Sequence, residues 1–583
     1  MSEGKKQNLV QGAIILTMAT LVVKLIGALF KVPLTNMIGG VGMGYFNSAY
    51  HLFNPLYAFC TAGLPVAISK LVAESVTLGK YREARKIMKV STLMFMTAGI
   101  TAFLVMIFGS KIFVKSIDNP NALWCVLALS PAVFFGCMTS SYRGYYEGLR
   151  NMYPTGISQV IEAVVKLLTG TGLTYLVLDI GMSQYAKSGT VFGIQVETIN
   201  EAKAAALPYA AAAAVAGVTI STLAGWLFLL LRHKIVGDGI MRKDLLASPA
   251  ASSGKTLMKR ILKIAIPVCL GSLAMNITSL VDLVSIMNRL SGVVENSYNT
   301  LLEMYKGNIP EEVLIKPSEM GNYLYGIFST MPTTFFNIVP AITSALGISA
   351  LPNVTKAWTE KNRDAMKSNV EATLKLTALI AMPAGLGLMT LSRPILEMFF
   401  ASKMQEVSIA VPMLQVMGAA VIFVSLVSPS NSLLQAIGRV DLPVKFMITG
   451  AAVKLAMNFF LVAIPKFNIQ AAPYGTLVCY IIMSVLALGA LIRHSKIKLN
   501  LFSIFVKPFF AAAVCAGSAK LVHIWLSGVM GAGRLVTVIT IGIAAVIYVI
   551  TLFMVKGVEK NDIKMLPKGE KILKVLEKFK LIR

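Results

Sequence analysis

Charged residues are scarce in this chain of 583 residues, and acidic residues are the scarcest. Asp, Glu, Lys and Arg together make up 14% of the sequence, hydrophobic residues make up 56%, and the mean hydropathy is +0.71. Soluble domains carry roughly 25% charged residues. The composition therefore excludes an ordinary soluble protein and indicates a chain that lies largely within a membrane.

Groups that carry chemistry are also few. The chain has four histidines and six cysteines, and it contains no HExxH sequence and no CxxC spacing. The cysteines all lie in apolar stretches, where a thiol is more often a packing group than a metal ligand or half of a disulfide. We expect no metal, no bound cofactor and no enzymatic activity.

Long apolar runs fill most of the sequence. A helix needs about 20 apolar residues to span the hydrocarbon core, and runs as continuous as these are not typical of barrel strands. The sequence therefore predicts an all-α integral membrane protein with fourteen transmembrane helices. The predicted spans are 10–35, 41–69, 90–110, 120–142, 153–179, 206–231, 261–287, 320–349, 368–391, 407–437, 442–464, 469–492, 501–527 and 532–555.

Basic residues are concentrated in alternate loops between these spans. The segments 70–89 and 232–263 are rich in Lys and Arg, whereas 296–319 is acidic. By the positive-inside rule, this asymmetry predicts a multi-pass protein of the cytoplasmic membrane with both termini in the cytoplasm. It also accounts for the net charge of +27 without a nucleic-acid partner. The basic, amphipathic tail is expected to lie on the anionic inner leaflet, or simply to set the topology.

Two short motifs occur twice in the same order. Residues 80–86 recur as 361–367, and residues 149–154 recur as 438–443. The copies are six spans apart, an even number, so they predict two six-helix lobes with the same orientation, followed by two further helices. The predicted domains are a first lobe 1–232, a basic cytoplasmic linker 233–260, a second lobe 261–494, helices 13 and 14 in 495–556, and a tail 557–583.

Polar side chains follow one face of several predicted spans. Charges at membrane depth usually face the bundle interior or a cavity, and here the cations outnumber the acids. Such a cavity favours an anionic ligand, for example a phosphate or pyrophosphate, which lysine binds as a point charge. The candidate residues are Lys24 and Lys31 in span 1, Asn47, His51 and Asn54 in span 2, and Asn276 and Asp282 in span 7.

Structural roles compete with these assignments. Lys31 could extend its amine to the outer interface, and His51 could be a hydrogen-bonded packing residue. Glu162 and Lys166 have the i,i+4 spacing at which they could simply pair with each other. Asp282 could be the buried partner of a lysine.

Several of these segments resemble one known family. The chain resembles the stage V sporulation protein B group of the multidrug/oligosaccharidyl-lipid/polysaccharide flippase superfamily, which is related to the lipid II flippases. The resemblance implies the same fold over the whole chain. It is carried by the segments 24–27, 63–65, 68–70, 143–154 and 158–162.

The resemblance implies a flippase that moves an undecaprenyl-pyrophosphate-linked saccharide, a peptidoglycan precursor or polysaccharide unit, by alternating access. Lys24, Lys31 and His51 would hold the pyrophosphate, and Asn47 and Asn54 would contact sugar or peptide. Asp282 and Asn276 would couple transport to Na⁺, H⁺ or the membrane potential. The cytoplasmic gate between spans 4 and 5 would be ordered by Arg143, Glu147 and Arg150.

Two other functions are compatible with the pattern. One is a cation-coupled multidrug exporter of the same superfamily, although such a protein would favour an acidic cavity. The other is a non-transporting membrane scaffold for cell-wall synthesis, which would not require paired lobes with charged inner faces. The expected partners are the lipid-linked glycan, membrane lipids and possible cell-wall synthesis proteins.

Overall fold

The structure is a computed structural model that describes residues 9–531, 533–555 and 557. The predicted tail helix therefore lies outside the described residues, apart from Gly557. Seventeen α-helices account for most of the described chain. They are α1 (Leu9–Thr77), α2 (Tyr81–Ser116), α3 (Leu123–Gly148), α4 (Tyr153–Ser188), α5 (Ile199–Ile235), α6 (Arg242–Ala247), α7 (Gly254–Met304), α8 (Glu311–Leu314), α9 (Met320–Phe336), α10 (Ile338–Thr359), α11 (Arg363–Thr390), α12 (Ser392–Phe399), α13 (Met404–Ala436), α14 (Asp441–Leu461), α15 (Ala471–Ser495), α16 (Lys507–Met530) and α17 (Arg534–Met554).

Short segments connect some of these helices. A two-stranded antiparallel hairpin, β1 (Thr190–Val191) and β2 (Ile194–Gln195), lies between α4 and α5. Its two-residue turn, Phe192 and Gly193, has φ of 48° and 87°, the positive values that tight hairpin turns require. The remaining short segments are 3-10 turns at Pro120–Ala122, Pro317–Glu319, Ala401–Lys403 and Asn468–Gln470, and a π-helical turn at Phe502–Val506.

The helices confirm the predicted all-helical membrane class. Within the described residues, 12 helices are long and apolar enough to cross a membrane. Helix α1 counts once among them, although it has 69 residues and contains both predicted spans 1 and 2. Its helical path is interrupted at Gly39, where φ is 58°, and each part exceeds the length of one crossing. The expected count of fourteen spans stays a prediction.

The described chain divides into two compact units. The first contains the residues up to Asn296 together with Ile309–Thr330, and the second contains Ser297–Asn308 and the residues from Met331 onward. The first part of α9 thus belongs with α1–α6 and most of α7. The predicted lobe boundaries at 232 and 261 rest on the sequence repeat, and they stay predictions.

A turn of the same type accompanies both copies of each repeated motif, although its positive-φ residue is shifted by one position between the copies. At Gly79 and at Lys361 the chain turns with positive φ just before α2 and α11 begin. Arg150 has a positive φ just before α4, and Gly438 has one just before α14, the helix that corresponds to α4 in the repeat. In each turn, the N–H of the positive-φ residue donates to the carbonyl oxygen three residues earlier. The N–H of the following residue donates to the carbonyl oxygen five residues before it. This pattern is typical of a helix that ends with a left-handed residue.

Close packing of small residues brings α4 and α5 together in the first unit. A Cβ on Gly217 of α5 would collide with the backbone of Gly170 on α4. Thr169 Oγ1 also donates to the carbonyl oxygen of Gly217 at 3.1 Å. Such small-residue contacts let transmembrane helices approach closely, and van der Waals packing then holds them together. The closely packed pair of α4 and α5 forms the surface against which the first part of α1 packs.

The connection between α5 and α7 is bound to the ends of α2 and α3. The Asp238 carboxylate accepts two hydrogen bonds from Arg85, at 2.8 and 2.9 Å, and one from Tyr145 at 2.9 Å. Burial acts to raise the pKa of Asp238, but the bonds from Arg85, the Ile240 N–H and Tyr145 outweigh it and hold that pKa below its ordinary value of 3.8. The predicted linker is therefore tied to the first unit by an ionised carboxylate.

We predict that Asp238→Asn loosens the segment 236–253 by about 1.5–3 kcal/mol, because Arg85 loses its charged acceptor. Since the pKa of Asp238 is lowered by folding, the stabilisation is fully present above the ordinary pKa of 3.8 and is lost as the pH falls through the lower folded value. Hydrogen exchange of 236–253 measures both effects. Asp244→Asn is the control, because Asp244 only accepts from the Met241 N–H at 3.3 Å. Equal protection in the two variants would contradict the prediction.

Candidate functional site

A cavity of about 420 Å³ lies inside the first unit. Both parts of α1, the first half of α4 and the second half of α5 form its walls. Among the candidate residues from the sequence, Lys24 lines it. The charged or amide side chains that share the cavity with Lys24 are Gln159, Glu162 and Lys166, all on α4.

Glu162 is already paired. Its Oε1 accepts a hydrogen bond from Arg143 Nη2 on α3 at 2.9 Å, and the two side chains are only 19% and 12% exposed. Arg143 also donates from Nε to Ser158 Oγ at 2.9 Å. Gly225 on α5 leaves space for this carboxylate, because a Cβ there would collide with it. The structure thus answers one open alternative, since Glu162 pairs with Arg143 rather than with Lys166.

Lys166 instead has neutral partners on α1. Its Nζ donates to Tyr50 OH at 3.0 Å and lies 5.0 Å from the centre of the Phe30 ring. A cation over an aromatic face gains electrostatic stabilisation without losing its charge. Sequence reasoning did not include Lys166 among the binding residues, because the i,i+4 acid gave it a ready partner.

The two lysines of span 1 occupy different surroundings. Lys24 is exposed to the cavity, and it forms no hydrogen bond or ion pair with any residue that the structure describes. Lys31 is half-buried two turns further along α1, within electrostatic range of Lys166. The structure therefore brings Lys24, Lys31 and Lys166 into one cationic cluster, in which the nearby acid is neutralised by Arg143.

The span 2 candidates lie on a different contact, between α1 and α9. Asn47 is buried and donates to Ser329 Oγ and Thr330 Oγ1 at 3.0 and 2.8 Å. His51 Nε2 and the Tyr325 hydroxyl are 2.9 Å apart. Asn54 is exposed on the same helix. Of the five candidate binding residues, only Lys24 and Lys31 thus belong to the cationic cluster.

The same contact continues toward the predicted outer ends of these helices. Asn322 Nδ2 donates to the Val41 carbonyl oxygen at 2.9 Å, and Asn119 Nδ2 donates to Asn322 Oδ1 at 2.8 Å. A Cβ on Gly326 would collide with the backbone of Gly40. Amide hydrogen bonds and small residues therefore hold α9 tightly against α1.

The span 7 candidates are both on α7. Asp282 is half-buried and lies within electrostatic range of Tyr325, the hydrogen-bond partner of His51. Asn276 donates to the Ser272 carbonyl oxygen of its own helix at 2.9 Å. Asp282 is thus close enough to Tyr325 to influence it electrostatically, although the two residues are far apart in the sequence.

The predicted gate residues occupy three distinct positions. Arg143 lies beside the cavity, through its pair with Glu162. Glu147 is half-buried one turn further along α3, and the exposed Arg150 follows the end of that helix with φ of 57°. The Arg150 N–H donates to the Glu147 carbonyl oxygen at 3.0 Å, so this contact between the two is a backbone contact at a helix end.

Three family models match the chain. A polysaccharide biosynthesis protein model matches residues 9–313, the lipid II flippase MurJ model matches 337–553, and a second polysaccharide biosynthesis protein model matches 254–409. The first of these covers more than half of the chain. The chain belongs to the polysaccharide biosynthesis protein family.

Curated relatives of this family member agree with the predicted resemblance. It is 22% identical over 570 residues to stage V sporulation protein B of Bacillus subtilis, covering 96% of this chain and 98% of that protein. It is 21% identical over 461 residues to the lipid II flippase MurJ of the same organism, covering 77% of each chain. The predicted kinship is confirmed, and so is the expectation that the protein is not an enzyme.

Solved structures support the fold of the family member. A lipid II flippase MurJ in an inward closed conformation matches with a TM-score of 0.59 and 15% identity, over 93% of this chain and 98% of that one. An inward-facing multidrug transporter of the MATE family within the MOP superfamily matches with a TM-score of 0.59 and 12% identity, over 83% and 99%. These two likenesses show that the chain shares their all-helical membrane fold.

We predict that Arg143→Met destabilises the protein by about 3–5 kcal/mol, because it leaves the Glu162 carboxylate buried without its cation. Adding Glu162→Gln to that variant should restore much of the loss, because the uncompensated charge is then gone. Thermal stability of the detergent-solubilised chain measures both changes. Arg150→Met, at an exposed position, is the control and should have little effect. A double variant as unstable as Arg143→Met alone would contradict this account.

Proposed function

We propose that the protein moves a lipid-linked saccharide, carried on undecaprenyl pyrophosphate, from the inner to the outer leaflet of the cytoplasmic membrane. The single observation that supports this substrate most directly is the cationic cluster of Lys24, Lys31 and Lys166 in a flippase-family fold. Cations at membrane depth are expensive unless a ligand or partner compensates them. An anionic ligand meets that requirement.

The roles follow the surroundings of each residue. Lys24 and Lys31, helped by Lys166, hold the pyrophosphate as point charges. His51 joins them when its hydrogen bond with Tyr325 is given up. Asn54, exposed on α1, is free to contact the sugar or peptide, whereas Asn47 does so only after leaving Ser329 and Thr330.

Transport is proposed to proceed by alternating access without ATP. With both termini in the cytoplasm, the contact of α1 with α9 near Val41 and Asn322 is at the outer side. Release of the saccharide outward would then require these amide hydrogen bonds to break. The Arg143 and Glu147 end of α3 would lie at the cytoplasmic side, with Arg150 at its surface.

Depletion of the protein tests the proposed function. We expect a lipid-linked precursor to accumulate in the inner leaflet, measured by its accessibility to a membrane-impermeant enzyme or lectin in inverted vesicles. Restoring the wild-type chain should clear the accumulated precursor. Unchanged distribution of every lipid-linked saccharide after depletion would refute the proposal.

We predict that Lys24→Ala fails to restore function to depleted cells although it is inserted at normal abundance. Lys24 has no described partner, so its loss should not destabilise the fold, whereas a charge-assisted contact with pyrophosphate contributes about 1.5–3 kcal/mol. Lys24→Arg should retain part of the function, because it keeps the charge. Full complementation by Lys24→Ala would mean that the anion does not bind here.

We predict that Asp282→Asn slows turnover more than it lowers abundance. Asp282 lies within electrostatic range of Tyr325, the partner of His51, so we propose that its charge couples the α1–α9 contact to a proton or cation. Measuring transport rate against pH and sodium concentration checks this role. A variant with wild-type rates across both ranges would assign Asp282 a structural role.

A further inference from the structure

One carboxylate joins three segments of the first unit that lie far apart in the sequence. Glu319, immediately before α9 begins, accepts a hydrogen bond at Oε1 from Asn121 Nδ2 at 2.6 Å, and Asn121 belongs to the turn before α3. Its Oε2 accepts a second hydrogen bond from Asn322 Nδ2 of α9 at 3.3 Å. The Tyr45 hydroxyl of α1 lies within hydrogen-bonding range of the same carboxylate. The contact between α1 and α9 therefore includes an acid at this end.

The groups that bind this carboxylate are themselves held in place. Asn322 Nδ2 also donates to the Val41 carbonyl oxygen at 2.9 Å, and Asn322 Oδ1 accepts from Asn119 Nδ2 at 2.8 Å. Both asparagines are buried, and a Cβ on Gly44 would collide with Asn322 Oδ1. Buried hydrogen bonds that share their members strengthen one another. A change at Glu319 should therefore affect the whole contact.

The partners of Glu319 are neutral. Within the described chain it forms no ion pair, and its hydrogen bonds come from side-chain amides and a phenol. The charged residues of the flanking segments 113–122 and 309–330 are not bound to it; they are Lys115, Asp118, Glu311, Glu312 and Lys316. The Glu319 side chain is only partly buried, so a proton from the adjoining solution can reach it.

Protonation would change the hydrogen bonds that this acid can form. A carboxylate accepts at both oxygens, whereas a protonated carboxyl group carries an O–H donor. Asn121 and Asn322 both present N–H groups to it, so the added proton would face donors. Hydrogen bonds to an ionised acceptor are also roughly twice as strong as neutral ones. Tyr45 and the buried Cys125 of α3 face the same network, but phenols and thiols stay uncharged in acid.

We propose that Glu319 is a positioning residue that fastens α9 to α1 while its carboxylate is ionised, and that uptake of a proton by this carboxylate releases the contact. With both termini in the cytoplasm, as proposed above, the proton comes from the outer solution. Glu319 touches no substrate in this role. The inference goes beyond the proposed function, because it concerns how one end of the helix contact is released and not what the protein carries.

Hydrogen exchange of the purified full-length protein in lipid nanodiscs tests this proposal. Exchange in the segments 38–46 and 318–327 reports the contact, and an added unstructured peptide corrects for the chemical effect of pH on exchange. Lowering the pH from about 7.5 to about 4.5 covers the titration of many glutamates in proteins. We expect the corrected protection of both segments to fall about 10-fold in the wild type, because hydrogen bonds to a charged acceptor are replaced by neutral ones.

Three variants separate the charge of Glu319 from its packing. Glu319→Gln keeps the size of the side chain, so it should lose this protection already at neutral pH and show no further loss in acid. Glu312→Gln is the matched control, because Glu312 is a partly buried acid of the same loop without a described partner. Asn121→Ala removes one donor and should lower protection while keeping its pH dependence. Unchanged exchange in 236–253 at neutral pH shows that each variant remains folded.

Three results would overturn the proposal. Equal protection of the wild type at both pH values would exclude a proton-dependent contact, and wild-type protection in Glu319→Gln at neutral pH would exclude a role for its charge. The His51–Tyr325 pair, with Asp282 in electrostatic range, belongs to the same α1–α9 contact. A pH dependence that persists in Glu319→Gln would therefore assign the effect to those groups. None of these outcomes depends on the substrate, so the depletion experiment tests the transport proposal separately.

Discussion

A positive charge within the hydrocarbon region needs an anion or an oriented polar partner, and this requirement organises the first unit. Arg143 meets it internally, through Glu162 and Ser158. Lys166 meets it partly, through the Tyr50 hydroxyl and the Phe30 ring. Lys24 has no such partner among the described residues and faces a cavity. Arg143 therefore has a structural role, whereas the charges of Lys166 and Lys24 are available to a ligand.

The shape of that cavity is set by residues that carry no charge. Gly170 and Gly217 let α4 and α5 touch, and the Phe30 ring of α1 packs into the space beside Gly170. Gly225 leaves the space in which the Glu162 carboxylate can meet Arg143. Side chains at these glycines would shift helices or separate the ion pair. Small-residue packing thus positions the charges, because in lipid it supplies much of the attraction between helices.

The sequence predicted the local features of this architecture and missed its long-range pairings. Apolar run length and polar-face spacing placed the helices and brought Lys24 and Lys31 to one face, because both depend on residues within a few turns. The i,i+4 rule offered Lys166 as the partner of Glu162, but Arg143, 19 positions away, takes that acid. Likewise, nothing local connects His51 with Tyr325, 274 positions away. Such pairings are decided by helix crossings, which no local spacing encodes.

The charges that line the cavity bear on whether the site suits an exported drug cation or a transported anion. An exporter of drug cations needs an acid that is free to meet the drug, whereas Glu162 already holds Arg143. An anion carrier needs cations that bind and then let go. Lysine offers a single compact charge, whereas arginine holds an anion through a rigid two-pronged fork. In the proposed cycle, Lys166 would exchange its bond to the neutral Tyr50 hydroxyl for one to a ligand oxygen and then return to it. A transport cycle requires that reversibility, and a permanent ion pair would prevent it.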